Sequence, residues 1–347
     1  MPLIPSFIER LVMLKLNKAP GPLLDILGAQ AFRVIVTAVK LDVFETLSSD
    51  SLAAAEIALQ VKADERGITM LLDALEAFGY VKKKGERYTN SAMTVKWLLG
   101  DISTSLADTL SYLEKEMLVM WGYLEECIRR GRPSTTLYEW LDQQPGSWQE
   151  FQAYMVSLAH LTADEMVAKV KLPPSARRLL DVGGGHGLYS IKFCRRYRKL
   201  TATIFDLPES LEVARKTIAA EEMGQQVSVQ EGDFWADDLG TDYDMALLFN
   251  IHQAYLPDKN TELLRKVSSA LNPGGLVVIM GQVAGKVSSP VAKAVVSMAG
   301  LTSALAGGQS YSFDEITHWL LAAGFTNARQ INLRFPGTGL VLGTRTS

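Results

Sequence analysis

Cysteine is nearly absent from this 347-residue chain, where Cys127 and Cys194 stand far apart. Two isolated thiols exclude a disulfide framework and a cysteine-rich zinc site. Histidine is scarce as well. His160, His186, His252 and His318 form no HExxH and no i, i+4 pair, so a metal site is not expected. No run of 18 uncharged apolar residues occurs, which argues against a membrane span. Pro5, Glu9, Arg10 and Lys15 interrupt the one stretch with a superficial likeness to a signal peptide. An excess of charge is missing too: 35 Lys+Arg against 38 Asp+Glu leave −3. Bulk attraction to nucleic acid or anionic lipid is therefore not expected. The expectation is a reduced, cytoplasmic protein.

What is present suits two sizeable cores, since 48% of the residues are hydrophobic and 21% charged. Residues 1–100 read as short helices followed by a hairpin. Leu27, Ala31, Ile35, Ala38 and Val39 keep helical spacing; Ser51 and Asp64 are candidate caps of the next two helices. Gly79 ends the second, and VKKKGERYTN reads as two strands around Lys84-Gly85. That order is that of a winged-helix module. Its would-be groove helix carries Asp64, Glu65, Asp73 and Glu76 against Arg66 alone, a poor match to phosphates. Packing and dimerisation are the better reading. Residues 101–172 read as a helical connector with scattered Trp and Met. From 173 to 347, strands alternate with helices, the pattern of a mostly parallel sheet covered on both faces. The uncharged stretch 294–313 reads as a buried helix and loop.

The loop Asp181-Val182-Gly183-Gly184-Gly185-His186-Gly187 stands where a strand turns into a helix. Glycines there permit positive φ and close approach of a ligand to the backbone. The spacing is G-x-G-x-G, with Leu188 where a dinucleotide fingerprint needs a third glycine. Asp181, just before the loop, would repel a pyrophosphate and attract an ammonium. Asp206 ends the next strand, where a carboxylate accepts from ribose hydroxyls. Asp233-Phe234 ends the third strand, suited to an adenine amino group and ring face. Together the three acids favour S-adenosylmethionine over NAD.

LLDVGGGHG, IFDLPE, EGDFW and LNPGGLVVI, in this order, resemble the successive motifs of class I S-adenosylmethionine-dependent O-methyltransferases. More narrowly, the chain resembles the small-molecule group that acts on hydroxyindoles, caffeate and polyketides. The resemblance implies a Rossmann-like α/β sheet with a mainly helical, winged-helix N-terminal dimerisation domain. It further implies a homodimer, with S-adenosyl-L-methionine as cofactor and a small, apolar or aromatic acceptor as substrate. Its motifs place the cofactor at Met155, Gly183, Gly185, Asp206, Leu207, Asp233 and Phe234, with Asp181 and Asn250 beside them.

The catalytic positions depart from that family. The resemblance implies a histidine base after the fourth strand, in an N-x-x-H pattern held by two glutamates. Here the histidine's position is Gln253, with His252 one step early. The glutamate positions hold Gly281 and, in GGQSYS, Ser310 and Tyr311. An amide takes up no proton near pH 7, so Gln253 orients an acceptor without deprotonating it. His252 serves as base only if the backbone turns it inward. Both catalytic candidates, His252 and Gln253, stay open. So do methyl transfer to O, C or N, and a cofactor-binding protein that has lost the reaction. An NAD-dependent oxidoreductase and a winged-helix regulator are the remaining alternatives.

Overall fold

The computed structural model describes residues 6–16, 18, 21–100, 105–284, 290–335 and 337–346. The chain divides into two compact units, Met1–Lys115 and Glu116–Ser347. The division falls inside the helix Ala107–Val119, so most of the stretch read as a connector groups with the C-terminal unit.

In the first unit, helices Pro22–Lys40, Val43–Thr46, Ala54–Gln60 and Glu65–Ala77 surround a small sheet. Its strands are β1 (Leu52–Ala53), β2 (Val81–Lys84) and β3 (Arg87–Asn90), antiparallel in the order β1-β3-β2. Ile35, Phe44, Ile57, Leu72, Leu75 and Tyr88 form the core. Asp64 caps its helix, accepting from Gly67 N at 2.8 Å. Ser51 does not cap the preceding helix, contrary to the sequence reading. Leu52 and Ala53 extend into β1 instead, and Glu56 closes the helix start by accepting from Ala53 N at 2.7 Å. Of the helix's acids, Asp73 is engaged by the hairpin, accepting from Tyr88 Oη at 3.2 Å and lying 3.8 Å from Lys83 Nζ.

Among the described residues, Pro22–Lys40 is long and apolar enough, by length and composition, to cross a membrane. Charged Asp25 and Arg33 interrupt it, which is why it escaped a search for unbroken apolar runs. Its Ala31, Ile35, Val36 and Ala38 are buried, Ile35 and Ala38 within the unit's own core. Arg33 and Lys40 both pair with the buried carboxylate of Glu114.

The C-terminal unit begins with helical segments, the longest being Ser147–Lys169. Strands β4 (Arg178–Val182), β5 (Thr201–Asp206), β6 (Val227–Glu231), β7 (Tyr243–Phe249), β8 (Leu271–Ala284), β9 (Tyr311–Ser312), β10 (Phe325–Asn332) and β11 (Thr338–Arg345) follow. The sheet order is β10-β11-β8-β7-β4-β5-β6, with β9 on β8. Strands β4 to β8 run parallel, and β11 enters antiparallel between β8 and β10.

Alternation along the strands builds two cores. Leu179, Met245, Leu247, Val278 and Met280 face one side, and Leu180, Val182, Ala246, Leu248, Val277 and Ile279 the other. The expected strand–helix order is observed, with the helix after β5 running on to Ala220. Gly337 stands in the turn joining β10 to β11, and Pro336 beside it lies outside the described residues. The uncharged stretch is buried only in part: Ser303, Leu305 and Tyr311 are buried, and Met298 is exposed. Lys293 is the one charged residue of helix Pro290–Leu305, which leaves it little polar face to turn outward.

Strand β4 has β5 on one side and β7 on the other, so the chain order reverses there. In open α/β sheets a ligand crevice forms beyond the carboxyl ends of strands at such a point. Asp181, Asp206, Asp233 and Asn250 all stand at those ends.

Candidate functional site

A cavity of about 260 Å³ opens at that crevice. Met155, Asp181, Gly183, Gly185, Asp206, Leu207, Asp233, Phe234 and Asn250 all line it. The sequence-predicted cofactor set, spread over 96 residues of chain, is thus gathered on one wall.

Its floor is the glycine loop. Gly183 and Gly185 hold φ of +66° and +43°, where a side chain strains the backbone. Space forbids one as well: a β-carbon on Gly183 would lie 2.5 Å from Ile251 Cδ1, and one on Gly185 2.6 Å from Gln152 Oε1. Asp206 ties the loop to β5. Its Oδ2 accepts from Gly185 N at 2.8 Å and its Oδ1 from Leu207 N at 2.7 Å. Each oxygen keeps acceptor capacity for a ligand hydroxyl. Asn250 holds φ of +59°, which Asn tolerates, and donates its N–H to Met280 O at 2.8 Å. That bend turns the chain off the end of β7.

Asp181 is 1% exposed and accepts from Ser190 Oγ at 2.7 Å. It lies under Gly184, so it buttresses the loop as well as edging the cavity. Burial pushes its carboxyl up to about 7, against the Ser190 hydrogen bond and helped by nearby Asp206. Burial likewise raises Asp206 to about 6, against its backbone hydrogen bonds. Two acids held this way in one cavity wall favour a ligand that brings positive charge or hydroxyls. His186 also lines the cavity, its Nδ1 accepting from Leu188 N at 3.1 Å; burial lowers it to about 4.

The catalytic candidates are placed differently. His252 and Gln253 sit in a 3-10 turn, His252–Ala254, and neither lines the cavity. His252 is 3% exposed and Gln253 half-buried. Both ring nitrogens of His252 and the Oε1 of Gln253 lack hydrogen-bond partners. Burial lowers His252 to about 4, opposed only by the nearby Gln282 backbone, which stays outside hydrogen-bond geometry. Both side chains press on Gly281, where a β-carbon would overlap Gln253 Oε1 and lie 2.5 Å from His252 Cε1. Gly308 packs as tightly against the turn's backbone. Ser310 donates to Gln282 Oε1 at 3.2 Å, and Tyr311 Oη to Tyr255 O at 2.6 Å.

Sequence reasoning missed several lining residues. Gln152, buried against the loop, lies three residues before Met155 and one after Phe151. Helical spacing puts all three on one face, a signal that was available. Tyr138 and Trp148, stacked with centroids 6.1 Å apart, come from separate helices that no local motif connects.

A family model of the O-methyltransferase domain matches residues 121–326, and one of the O-methyltransferase dimerisation domain matches 26–100. The chain belongs to the O-methyltransferase family. It is an S-adenosylmethionine-dependent methyltransferase. The 3-hydroxy-5-methyl-1-naphthoate 3-O-methyltransferase of Streptomyces sahachiroi is 28% identical over 327 residues, 92% of this chain and 93% of that relative. The L-tyrosine C(3)-methyltransferase of Streptomyces lavendulae is 27% identical over 334 residues, covering 92% and 90%. In fold, the methyltransferase matches mitomycin 7-O-methyltransferase with a TM-score of 0.85 at 21% identity, covering 96% and 99%. Human N-acetylserotonin methyltransferase in complex with SAM gives 0.82 at 21% identity, covering both chains fully.

The residues present fit the methyl donor. Asp206 keeps free acceptor capacity for ribose hydroxyls, Asp233 and Phe234 offer an acceptor and a ring face, and the glycine loop admits no side chain between backbone and ligand. The donor supplies an electrophilic methyl group; this chain's residues supply orientation.

Proposed function

We propose that this methyltransferase methylates a small, largely apolar or aromatic acceptor, at a hydroxyl oxygen. The observation that carries this reading is the gathering of all nine predicted donor-binding residues on one cavity that also has aromatic walls. Tyr138, Trp148, Phe151 and Tyr255 join Phe234 and Trp235 along it. The substrate named for the naphthoate relative carries its methyl-accepting hydroxyl on an aromatic ring, consistent with such walls.

Methyl transfer from a sulfonium is an in-line displacement, in which positioning contributes most once the nucleophile has its lone pair. In this reading the aromatic cavity walls orient the acceptor, and His252 and Gln253, both packed beside Gly281 off the cavity lining, supply neither a base nor an acceptor contact. The favoured acceptor is therefore an acidic phenol or enol that arrives ionised. A stabilised carbon nucleophile is the second reading; it needs no oxygen base either, and a tyrosine C(3)-methyltransferase is among the relatives.

The N-terminal unit, in this proposal, is winged-helix-like and serves self-association in a homodimer. Asp73, turned to its own hairpin, supports this over DNA reading. A cytoplasmic location agrees with the two cysteines, both free and buried.

The test pairs calorimetry with a turnover panel. S-adenosylhomocysteine is expected to bind and NAD not to. Hydroxynaphthoates and acidic phenols are expected to release S-adenosylhomocysteine, with NMR locating the methyl on oxygen. Tight NAD binding, or no turnover across the panel, overturns the proposal.

A further inference from the structure

Lys266 lies on helix Pro257–Ala270, and among the described residues it makes no ion pair. Its ammonium is spent on backbone. Nζ donates to Phe234 O at 2.6 Å, Asp237 O at 2.7 Å and Trp235 O at 3.2 Å. These carbonyls belong to the single turn that follows β6 and carries Asp233 and Phe234 into the cavity wall.

The rest of that turn is closed by its own acids. Asp233 Oδ1 accepts from Trp235 N, and Asp237 Oδ2 from Asp233 N, each at 2.8 Å. Asp233 O accepts from Ala236 N at 3.0 Å and Asp237 N at 2.7 Å. Carboxylates thus serve the N–H end of the turn, and the carbonyl end has no donor of its own. A cation there satisfies those oxygens and complements their dipole. Lys259, two helical turns before Lys266 on the same face, sets its ammonium 4.9 Å from the Trp235 ring centroid. The Trp235 ring also meets Tyr255 at 4.9 Å. One helix therefore grips the turn at its backbone and at a ring.

We propose that Lys266 is a positioning residue for the methyl donor: its ammonium, held by three carbonyls, fixes the Asp233–Phe234 edge of the donor cavity. The inference rests on the assignment of Asp233 and Phe234 to the donor's adenosine end. Lys266 lies outside the cavity lining, so it acts through the turn. A merely structural lysine would alter stability and leave donor affinity alone. A positioning lysine weakens donor binding and spares the chemical step.

The test measures S-adenosylhomocysteine affinity by calorimetry in the wild type, Lys266→Met and Lys266→Arg, beside thermal melts and kinetics at saturating donor. Loss of charge-assisted hydrogen bonds is expected to raise Kd in Lys266→Met about tenfold or more. Its kcat at saturating donor is expected to stay within about twofold, and Lys266→Arg to recover most of the affinity. Lys266→Met binding as tightly as wild type overturns the inference, as does a fall in kcat with no change in donor affinity. If Lys266→Met does not fold, Lys266→Gln, of similar length and without charge, carries the same comparison. A wild-type protein that binds no S-adenosylhomocysteine would instead overturn the donor assignment itself.

Discussion

The α-carbon of Gly281 abuts the side-chain amide oxygen of Gln253, leaving no room for a β-carbon between them. Strand β8 carries the glycine and the turn after β7 carries the glutamine, so the contact joins two neighbouring strand ends. No carboxylate side chain fits at 281 while Gln253 keeps this seat. The substitutions read separately from the sequence are therefore one packing solution.

Gly281→Ala is expected to overpack this contact and destabilise the protein by about 1–3 kcal/mol. Adding Gln253→Ala removes the blocking atom and is expected to return part of that loss. Thermal or urea melts of the two single variants and the double variant measure the coupling. Additive effects would mean that the two residues do not share this space.

His252 carries the argument on the base. A histidine acting as general base contributes about 10²–10⁴-fold. This ring is 3% exposed, off the cavity wall, and has a pKa near 4 from burial. His252→Ala is accordingly expected to change kcat less than about tenfold on an acidic phenol. A loss near 10³ in steady-state kinetics would restore His252 as the base.

The legibility of this chain differs between its donor and acceptor halves for a physical reason. Donor recognition, in the proposed reading, relies on backbone conformation and carboxylates at strand ends, so the glycines and Asp181, Asp206 and Asp233 mark the sequence at fixed points. Pattern similarly exposed β4 and β7, because strands buried on both faces read as near-continuous apolar runs. Side chains that meet only through tertiary packing left no such mark. Gln152 touches Gly185 from a helix that ends before β4 begins, and Lys266 reaches the 233–237 turn from beyond β7. Ser51 looked like a cap because its type suits one; the pairing of β1 with β3 took precedence. His252 stands one step early in the sequence, and where its ring goes is set by packing against Gly281.

Buried His252 and Asp181 pull the pH dependence of stability in opposite directions. His252 has its folded pKa lowered to about 4, below the ordinary 6.5. The unfolded state binds more protons between those values, so this group's stability is present above pH 6.5 and lost as pH falls towards 4. Asp181 is raised from 3.8 to about 7, so its favourable contribution is present below pH 3.8 and lost as pH rises through 7. His252→Leu is expected to remove its share of the acid-side loss, the share of buried His186 remaining. Asp181→Asn is expected to gain stability relative to wild type as pH rises from 5 to 8. Melting temperatures across pH 4–8, taken without donor, check both signs. Parallel curves for Asp181→Asn and wild type would show that the carboxyl is ionised throughout this range.

Asp206 supports the loop and, in the proposed reading, also receives the donor's hydroxyls; the two tasks separate by substitution. It holds Gly185 N and Leu207 N and has acceptor sites left for donor hydroxyls. Asp206→Ala leaves the Gly185 N–H without its acceptor beneath the loop, at a cost of about 1–3 kcal/mol in stability. It also removes the hydroxyl acceptor, so S-adenosylhomocysteine affinity is expected to fall about tenfold or more. Asp206→Asn keeps one carbonyl oxygen for Gly185 and loses the charge. It is expected to melt nearer to wild type and still bind donor several-fold more weakly. Calorimetry and melts on the two variants separate loop support from ligand recognition. Full donor affinity in Asp206→Asn would show that the carboxylate serves the loop alone.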